Sequence, residues 1–244
     1  MNSISRTGAI SLRVLRQMFA DPRTVGLMFF VPALLTGLFA WMLNSQQMFD
    51  KIGPSLIGLF PFIVMFLLAS ITTLKERRTG TLERFFTMPM GKGEFIAGYA
   101  ISFGLMATIQ AGITLAYAVW VCGLTIDSNA GLLLLAAVTN AVCGMALGLL
   151  ASAFAKTEFQ VIQFMPAFIF PQMILGGLFI PVSQMPDVLQ SISDWLPLTH
   201  ALRALVDIAT GAATDDVLVE IYTVIAVSIA ALALGALTLR KKTD

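Results

Sequence analysis

The sequence predicts an all-α membrane protein with six transmembrane helices and both termini in the cytoplasm. Three observations carry this prediction. The 244 residues are 57% hydrophobic and only 12% charged, and the mean hydropathy of +0.86 lies far above that of a soluble domain. Six apolar stretches are long enough to cross a hydrocarbon core of about 30 Å. The basic residues sort by loop. With both ends inside, 13 of the 15 fall in cytoplasmic segments, and only Lys51 and Arg203 fall outside. Cationic residues distributed in this way form no patch for nucleic acid, and the net charge of +1 implies none.

The whole chain, 1–244, reads as a single transmembrane domain. Residues 1–23 carry Arg6, Arg13, Arg16 and Arg23. Leu12, Leu15, Met18 and Phe19 recur at helical spacing opposite Arg13, Arg16 and Gln17, which predicts an amphipathic helix on the cytoplasmic membrane surface. The first span is 24–43, which contains no charge. It is long enough to cross and begins too late for a cleaved signal peptide. A polar turn, Asn44 to Lys51, leads to the second span at 54–74, where Pro61 is expected to kink the helix. A charged cytoplasmic loop, 75–94, follows. The third span is 95–121 and the fourth 130–155, where Gly144 and Gly148 form a GxxxG pattern. That pattern reads either as a close helix contact or as ordinary glycine enrichment in membrane helices.

Lys156 and Glu158 mark a very tight turn, so spans four and five are expected to be antiparallel neighbours. The fifth span, 159–180, contains Pro166, Pro171, Gly176 and Gly177 and is expected to be bent or broken. In 181–216, apolar stretches too short to cross alternate with prolines and acids. Two short helices, near Asp187–Trp195 and Thr199–Thr210, are expected to form a re-entrant outer segment. The sixth span, 217–239, is stopped by Arg240, Lys241 and Lys242.

The stretch Lys75 to Pro89 is an island of charge between apolar segments. Gly80 interrupts it, Thr81 can cap a new short helix, and Pro89 ends that helix. On it Leu82, Phe85 and Phe86 share one face, while Glu83, Arg84 and Thr87 point elsewhere. This amphipathic peg reads either as a docking element for a cytosolic partner or as a loop helix lying against its own spans or the headgroups.

The central parts of the six spans hold no ionisable residue, which argues against a proton- or ion-coupled carrier. Glu220 sits at the outer end of the sixth span and reads as a solvated or helix-start residue. His200, the single histidine, reads as a polar contact rather than a proton relay or zinc ligand. Cys122 and Cys143 lack metal or disulfide spacing and read as packing residues. No Walker loop, nucleophile elbow or HExxH occurs, so the chain shows no catalytic site and no ATP-hydrolysing engine of its own. Within the spans, the neutral Gln110, Asn140, Gln163 and Gln172 either hydrogen-bond between helices or line a path for an amphiphile. A membrane body without a motor but with a cytosolic peg takes its energy from a partner.

Two blocks of residues also resemble a known family. Lys75-Glu76, then Gly80-Thr81-Leu82-Glu83, then Pro89 resembles the signature of the ABC-2 type transporter permeases. Gly176-Gly177-Leu178-Phe179-Ile180-Pro181, then Pro186, Leu196-Pro197-Leu198-Thr199, Arg203 and Gly211 is similar to that family's fifth span and outer hairpin. The resemblance implies a type V exporter-like fold and the membrane subunit of an ATP-binding cassette exporter in a bacterial inner membrane. That exporter would move a hydrophobic or amphiphilic drug, antibiotic or lipid-like compound. It further implies a second permease copy, identical or similar, and two separate ATPase subunits that carry the ATP and Mg. No cofactor is expected in this chain. The 75–94 loop would be the coupling element, including Gly80 and Thr81, with Leu82, Phe85 and Phe86 as buried anchors. Glu76, Glu83 and Arg84 would be polar contacts to the ATPase. Spans one, two and five would face the dimer axis, with Gln163, Pro166, Pro171 and Gln172 along the substrate path. The rival readings are an ion-coupled secondary carrier and a non-transporting membrane scaffold.

Overall fold

The computed structural model describes residues 3–79, 91–126, 129–211 and 214–238. These residues form nine α-helices: α1 (Ser3–Phe19), α2 (Pro22–Leu43), α3 (Gln46–Arg78), α4 (Lys92–Trp120), α5 (Ala130–Ala151), α6 (Glu158–Leu175), α7 (Asp187–Ser193), α8 (Pro197–Ala209) and α9 (Thr214–Thr238). A single 3-10 turn, Val182–Gln184, precedes α7. Five of the helices, α2, α3, α4, α5 and α9, are long and apolar enough to cross a membrane. The sixth expected crossing is α6. Its 18 residues rise about 27 Å at 1.5 Å per residue, but three glutamines and two prolines dilute its apolar content and it falls outside those five.

Local chemistry sets the helix boundaries. Asp21 accepts from the Thr24 backbone N–H and Pro22 takes the first turn, so α2 starts there. It ends at Asn44, whose φ of 46° is the left-handed conformation that asparagine tolerates. The next residue, Ser45, caps α3 through the Met48 N–H. The expected polar turn through Lys51 is therefore only two residues long, and the second span begins at Gln46 rather than Pro54. What extends it is a hydrogen-bonded anchor. Asp50 accepts from the Thr125 N–H at 2.9 Å, and Gln46 donates to Asp50 and to the Gly123 carbonyl. With 33 residues α3 runs about 50 Å, longer than the hydrocarbon core of a bilayer.

α3 and α5 form the heart of the bundle and share its largest helix–helix contact. A Cβ on Gly144 would collide with the carbonyl oxygen of Phe62, and one on Gly148 with that of Phe66, so the two backbones touch along this seam. The GxxxG pattern is therefore a close contact, and α3 is its partner. Asn140 on α5 donates to the Gly58 carbonyl at 2.9 Å, and Gln110 on α4 to the Met28 carbonyl on α2 at 2.7 Å. Both polar side chains act between helices, where no water competes for the bond.

On α1 the row packed on protein is Ile10, Val14 and Met18, while Leu12 and Phe19 of the expected apolar row are exposed. The i, i+4, i+8 row packs on α4, where Gly98 admits Ile10 and Ser102 donates to the Ser11 carbonyl at 2.9 Å. Helix α1 thus docks on protein with one stripe and leaves a second apolar stripe outward. A correction concerns α5 and α6, which adjoin in sequence but do not pack along their length. α6 rests instead on α3, α7 and α8. The tight turn constrains only the first turn of α6, where Val161 joins Leu74 and Ala155 in a small cluster; beyond that turn the two helices diverge. Helix α6 is continuous through Pro166 and Pro171, and it ends at Leu175 rather than Ile180 because Gly177, at φ 87°, turns the chain.

Candidate functional site

At the C-terminal end of α3 three helices meet at one ion pair. Arg13 of α1 donates from Nη2 to both carboxylate oxygens of Glu76 at 2.9 Å, and the same nitrogen lies 3.3 Å from the Tyr99 hydroxyl on α4. Glu76 is only 3% exposed and Tyr99 is fully buried, between Phe95 and Phe103. A carboxylate removed from water in this way is stable only while a cation and donors face it. The pair therefore fixes the register of α1 against the last turn of α3.

A second contact holds the other side of the loop. Glu94, in the first turn of α4, lies 3.9 Å from Arg6 of α1, and it also accepts from the Gly91 N–H at 3.1 Å. The Ser3 hydroxyl, the Gly91 N–H and the Arg6 charge hold the Glu94 carboxyl below the usual carboxylate range. Both ends of the charged loop are thus moored to one helix, α1: α3 through Glu76–Arg13 and α4 through Glu94–Arg6. Lys75, Arg77 and Arg78 occupy the last turn of α3, where cations complement the helix dipole, and Thr79 closes it by donating to the Lys75 carbonyl. The expected coupling residues Gly80, Thr81, Leu82, Glu83, Arg84, Phe85 and Phe86 lie outside the described residues. Glu76 is described, and its carboxylate is directed into the chain.

The four residues expected along a substrate path do not form one surface. Gln163, Pro166 and Pro171 lie on the exposed side of α6. Gln172, nine residues on from Gln163 at 3.6 residues per turn, faces the opposite way and is buried. Its amide nitrogen donates to the Phe168 carbonyl one turn back, at 3.1 Å. On that inner side a cavity of about 470 Å³ separates α6 from α5 and α9, with Phe62 and Phe66 of α3 at its back.

At the opposite end of the bundle a cavity of about 600 Å³ is lined by Lys51, Gly176, Asp194, Arg203 and Asp207, so Lys51 and Arg203 face one space. Arg203 donates to Asp194 at 2.7 Å and lies 3.9 Å from Glu220. His200 bonds Glu220 through Nδ1 and the Asp194 carbonyl through Nε2. The bond to Glu220 raises the His200 pKa, burial opposing, and burial together with the Glu220 charge raises that of Asp207. Glu220 is thus not simply solvated, because it ties α9 to the outer hairpin.

Several of these functional residues escaped sequence reasoning. Arg13 reads as a headgroup-facing cation because its acid lies 63 positions away. The aromatic wall of Phe62, Phe66, Phe154, Phe164 and Phe168 is drawn from two helices and the turn after α5 and carries no local spacing signal.

Comparison with known proteins follows the same lines. The sequence profile of the family described as ABC-2 type transporter matches residues 6–209. Among similar proteins, "ABC transporter G family member 20" of Dictyostelium discoideum is 27% identical over 67% of this chain and 22% of its own length. "Linearmycin resistance permease protein LnrN" of Bacillus subtilis is 30% identical over 62% of this chain and 39% of its own. "Probable multidrug ABC transporter permease YbhR" of Escherichia coli K12 is 31% identical over 60% of this chain and 40% of its own. The match therefore spans well under half of each of these relatives. With this profile lying across most of a multi-pass, all-helical membrane bundle, the chain belongs to the ABC-2 type transporter family, a family of transporter permeases.

Proposed function

We propose that the chain is the transmembrane permease subunit of an ABC exporter that moves a hydrophobic or amphiphilic compound. ATP would be hydrolysed, with Mg, on two separate nucleotide-binding subunits. In this reading α6 is the fifth of six crossings, both termini are cytoplasmic, and the membrane is a bacterial inner membrane. A second copy or a similar permease covers the outward faces of α2 and α6, where Phe30, Leu34 and Leu38 on one helix and Ile162, Phe170 and Ile174 on the other stand exposed. The names of the resistance and multidrug permeases among the relatives support the substrate class.

The observation that carries the coupling role is the double mooring of α1 to both ends of the charged loop. Force applied at residues 80–90 reaches three helices together, because α3 and α4 are both clamped to α1. Leu82, Phe85 and Phe86 serve as anchors in the ATPase, and Glu83 and Arg84 steer the encounter. Glu76 acts as a positioning residue, holding the last turn of α3 at a fixed angle to α1.

The test is Phe85→Ala together with Glu83→Lys in the full chain, co-expressed with its nucleotide-binding subunit. Phe85→Ala is expected to weaken co-purification by about tenfold or more, and to abolish vanadate-sensitive hydrolysis stimulated by the permease. Unchanged association and hydrolysis in both variants would refute the coupling assignment. Charge movement without ATP would favour the ion-coupled carrier instead.

A further inference from the structure

The cavity of about 600 Å³ between the start of α3 and the α7–α8 hairpin is set apart by charge. Its volume lies within the roughly 300–1,000 Å³ of small-molecule sites. Lys51 and Ser55, four residues apart on one face of α3, line one part of it, and Arg203 and Asp207 of α8 line another. Of the two cations, Arg203 is already committed, donating to Asp194 at 2.7 Å and lying 3.9 Å from Glu220. The Lys51 ammonium has no ion pair and no hydrogen bond among the described residues.

Asp207 is in the opposite position. Its carboxylate has no ion pair or hydrogen bond among the described residues either. Burial and then the Glu220 charge raise its pKa, Arg203 opposing and Asp216 adding to the rise. The space beside Asp207 therefore favours a cation, and the space beside Lys51 an anion. Ser55 is a third open group. It is 6% exposed, yet its hydroxyl is unbonded among the described residues, whereas Ser70 and Ser228 return theirs to the carbonyl four residues back.

We propose that this cavity binds a small zwitterion, a primary ammonium joined by a short linker to an oxyanion, as in phosphoethanolamine. The ammonium meets Asp207, and the oxyanion accepts from Lys51 and Ser55 together. That group occurs as a dissolved molecule and as the headgroup of a phospholipid. Recognition is by charge at both ends and needs no apolar body, and none of Gln163, Pro166, Pro171 and Gln172 lines this cavity. The proposal goes beyond the exporter reading and stands apart from it, because binding is measured on the purified chain alone.

The experiment follows thermal unfolding of the purified full chain in detergent as O-phosphoethanolamine is added. Saturable stabilisation is expected, half-complete at about 1 mM, an ordinary affinity for so small a ligand. Phosphocholine, whose ammonium has no N–H, and glycerol 3-phosphate, which has no ammonium, are each expected to need about tenfold more. Asp207→Asn and Lys51→Gln are each expected to raise the half-saturating concentration of O-phosphoethanolamine about tenfold, and Lys51→Arg to restore most of the loss at that position. Comparing half-saturating concentrations keeps a less stable variant informative. Titrations in phosphatidylethanolamine and in phosphatidylcholine nanodiscs separate the sources. Suppression by phosphatidylethanolamine alone assigns the headgroup, equal titrations assign the dissolved zwitterion, and either result upholds the site. The absence of a saturable shift in detergent, equal action of the three probes, or an unchanged half-saturating concentration in both Asp207→Asn and Lys51→Gln would each overturn it.

Discussion

Helix α3 has two sides that solve the same packing problem in opposite ways. Toward α5, the backbones at Phe62 and Phe66 rest on Gly144 and Gly148 with no room for a methyl group. Toward α6, the same two phenylalanines help wall a cavity of about 470 Å³. In a bilayer the lipid is as apolar as leucine, so helices gain little by hiding apolar surface from one another. Close van der Waals contact and interhelical hydrogen bonds are what hold them. The α5 side has both, through the two glycines and Asn140. The α6 side also packs on α3, with Ile169 in the shared core, but among the described residues it has no glycine seam and no interhelical hydrogen bond to α3, and it leaves a cavity beside that contact. The difference separates a rigid seam, able to transmit force, from a looser margin.

Adding volume on each side breaks or sharpens this contrast most strongly. Gly148→Leu drives a side chain into the Phe66 carbonyl and is expected to lose about 3 kcal/mol or more, read as a fall in Tm of the purified chain. Ala151→Leu, one turn on and facing the cavity, is expected to stay within about 1 kcal/mol of the parent. Equal losses would mean that the two sides are packed alike. Next in size is the clamp. Glu76→Leu leaves Arg13 without its buried acid and is expected to cost about 2–3 kcal/mol, below the usual 3–5 for a buried pair because the Arg13 side chain is 37% exposed. Adding Arg13→Leu is expected to recover much of that loss, and a strictly additive double variant would contradict a direct pair.

Smaller still is Asn140→Leu, which removes one interhelical bond in the rigid seam and is expected to lose about 1 kcal/mol in the same assay. The smallest effect belongs to the outer hairpin. The bond to Glu220 raises the His200 pKa, so its stabilisation is present in full below the ordinary histidine pKa and is lost as pH rises through the higher folded value. Between pH 6 and 8 the parent is therefore expected to lose on the order of 1–2 °C in Tm that His200→Gln does not lose. A parent more stable at the alkaline end would reverse the sign.

Much of the rigid side was legible in the sequence. Uncharged runs mark the spans, because length is a local property, and Gly144 and Gly148 allow a close contact without deciding between it and ordinary glycine enrichment. The contact partner was not legible, since nothing near Gly148 points to Phe66. The loose side was misread for a related reason. A tight turn at Lys156 brings two helix ends together but does not set the angle at which the helices leave it, and α6 takes its direction from α3 and the outer hairpin. Likewise Arg13 and Glu76 each look like surface charges until the fold brings residues 63 apart within 2.9 Å. The second apolar stripe of α1, Ile10, Val14 and Met18, was not singled out in the sequence, because only packing on α4 decides which stripe meets protein.

The account rests most heavily on sidedness, with the α1-clamped end of α3 in the cytosol and the α7–α8 hairpin outside. Labelling of single cysteines by a membrane-impermeant maleimide tests it directly, in intact and in permeabilised cells, on a background with Cys122 and Cys143 changed to serine. The account predicts that Ser183→Cys labels in intact cells and that Thr87→Cys labels only after permeabilisation. Labelling of Thr87→Cys from outside would contradict it.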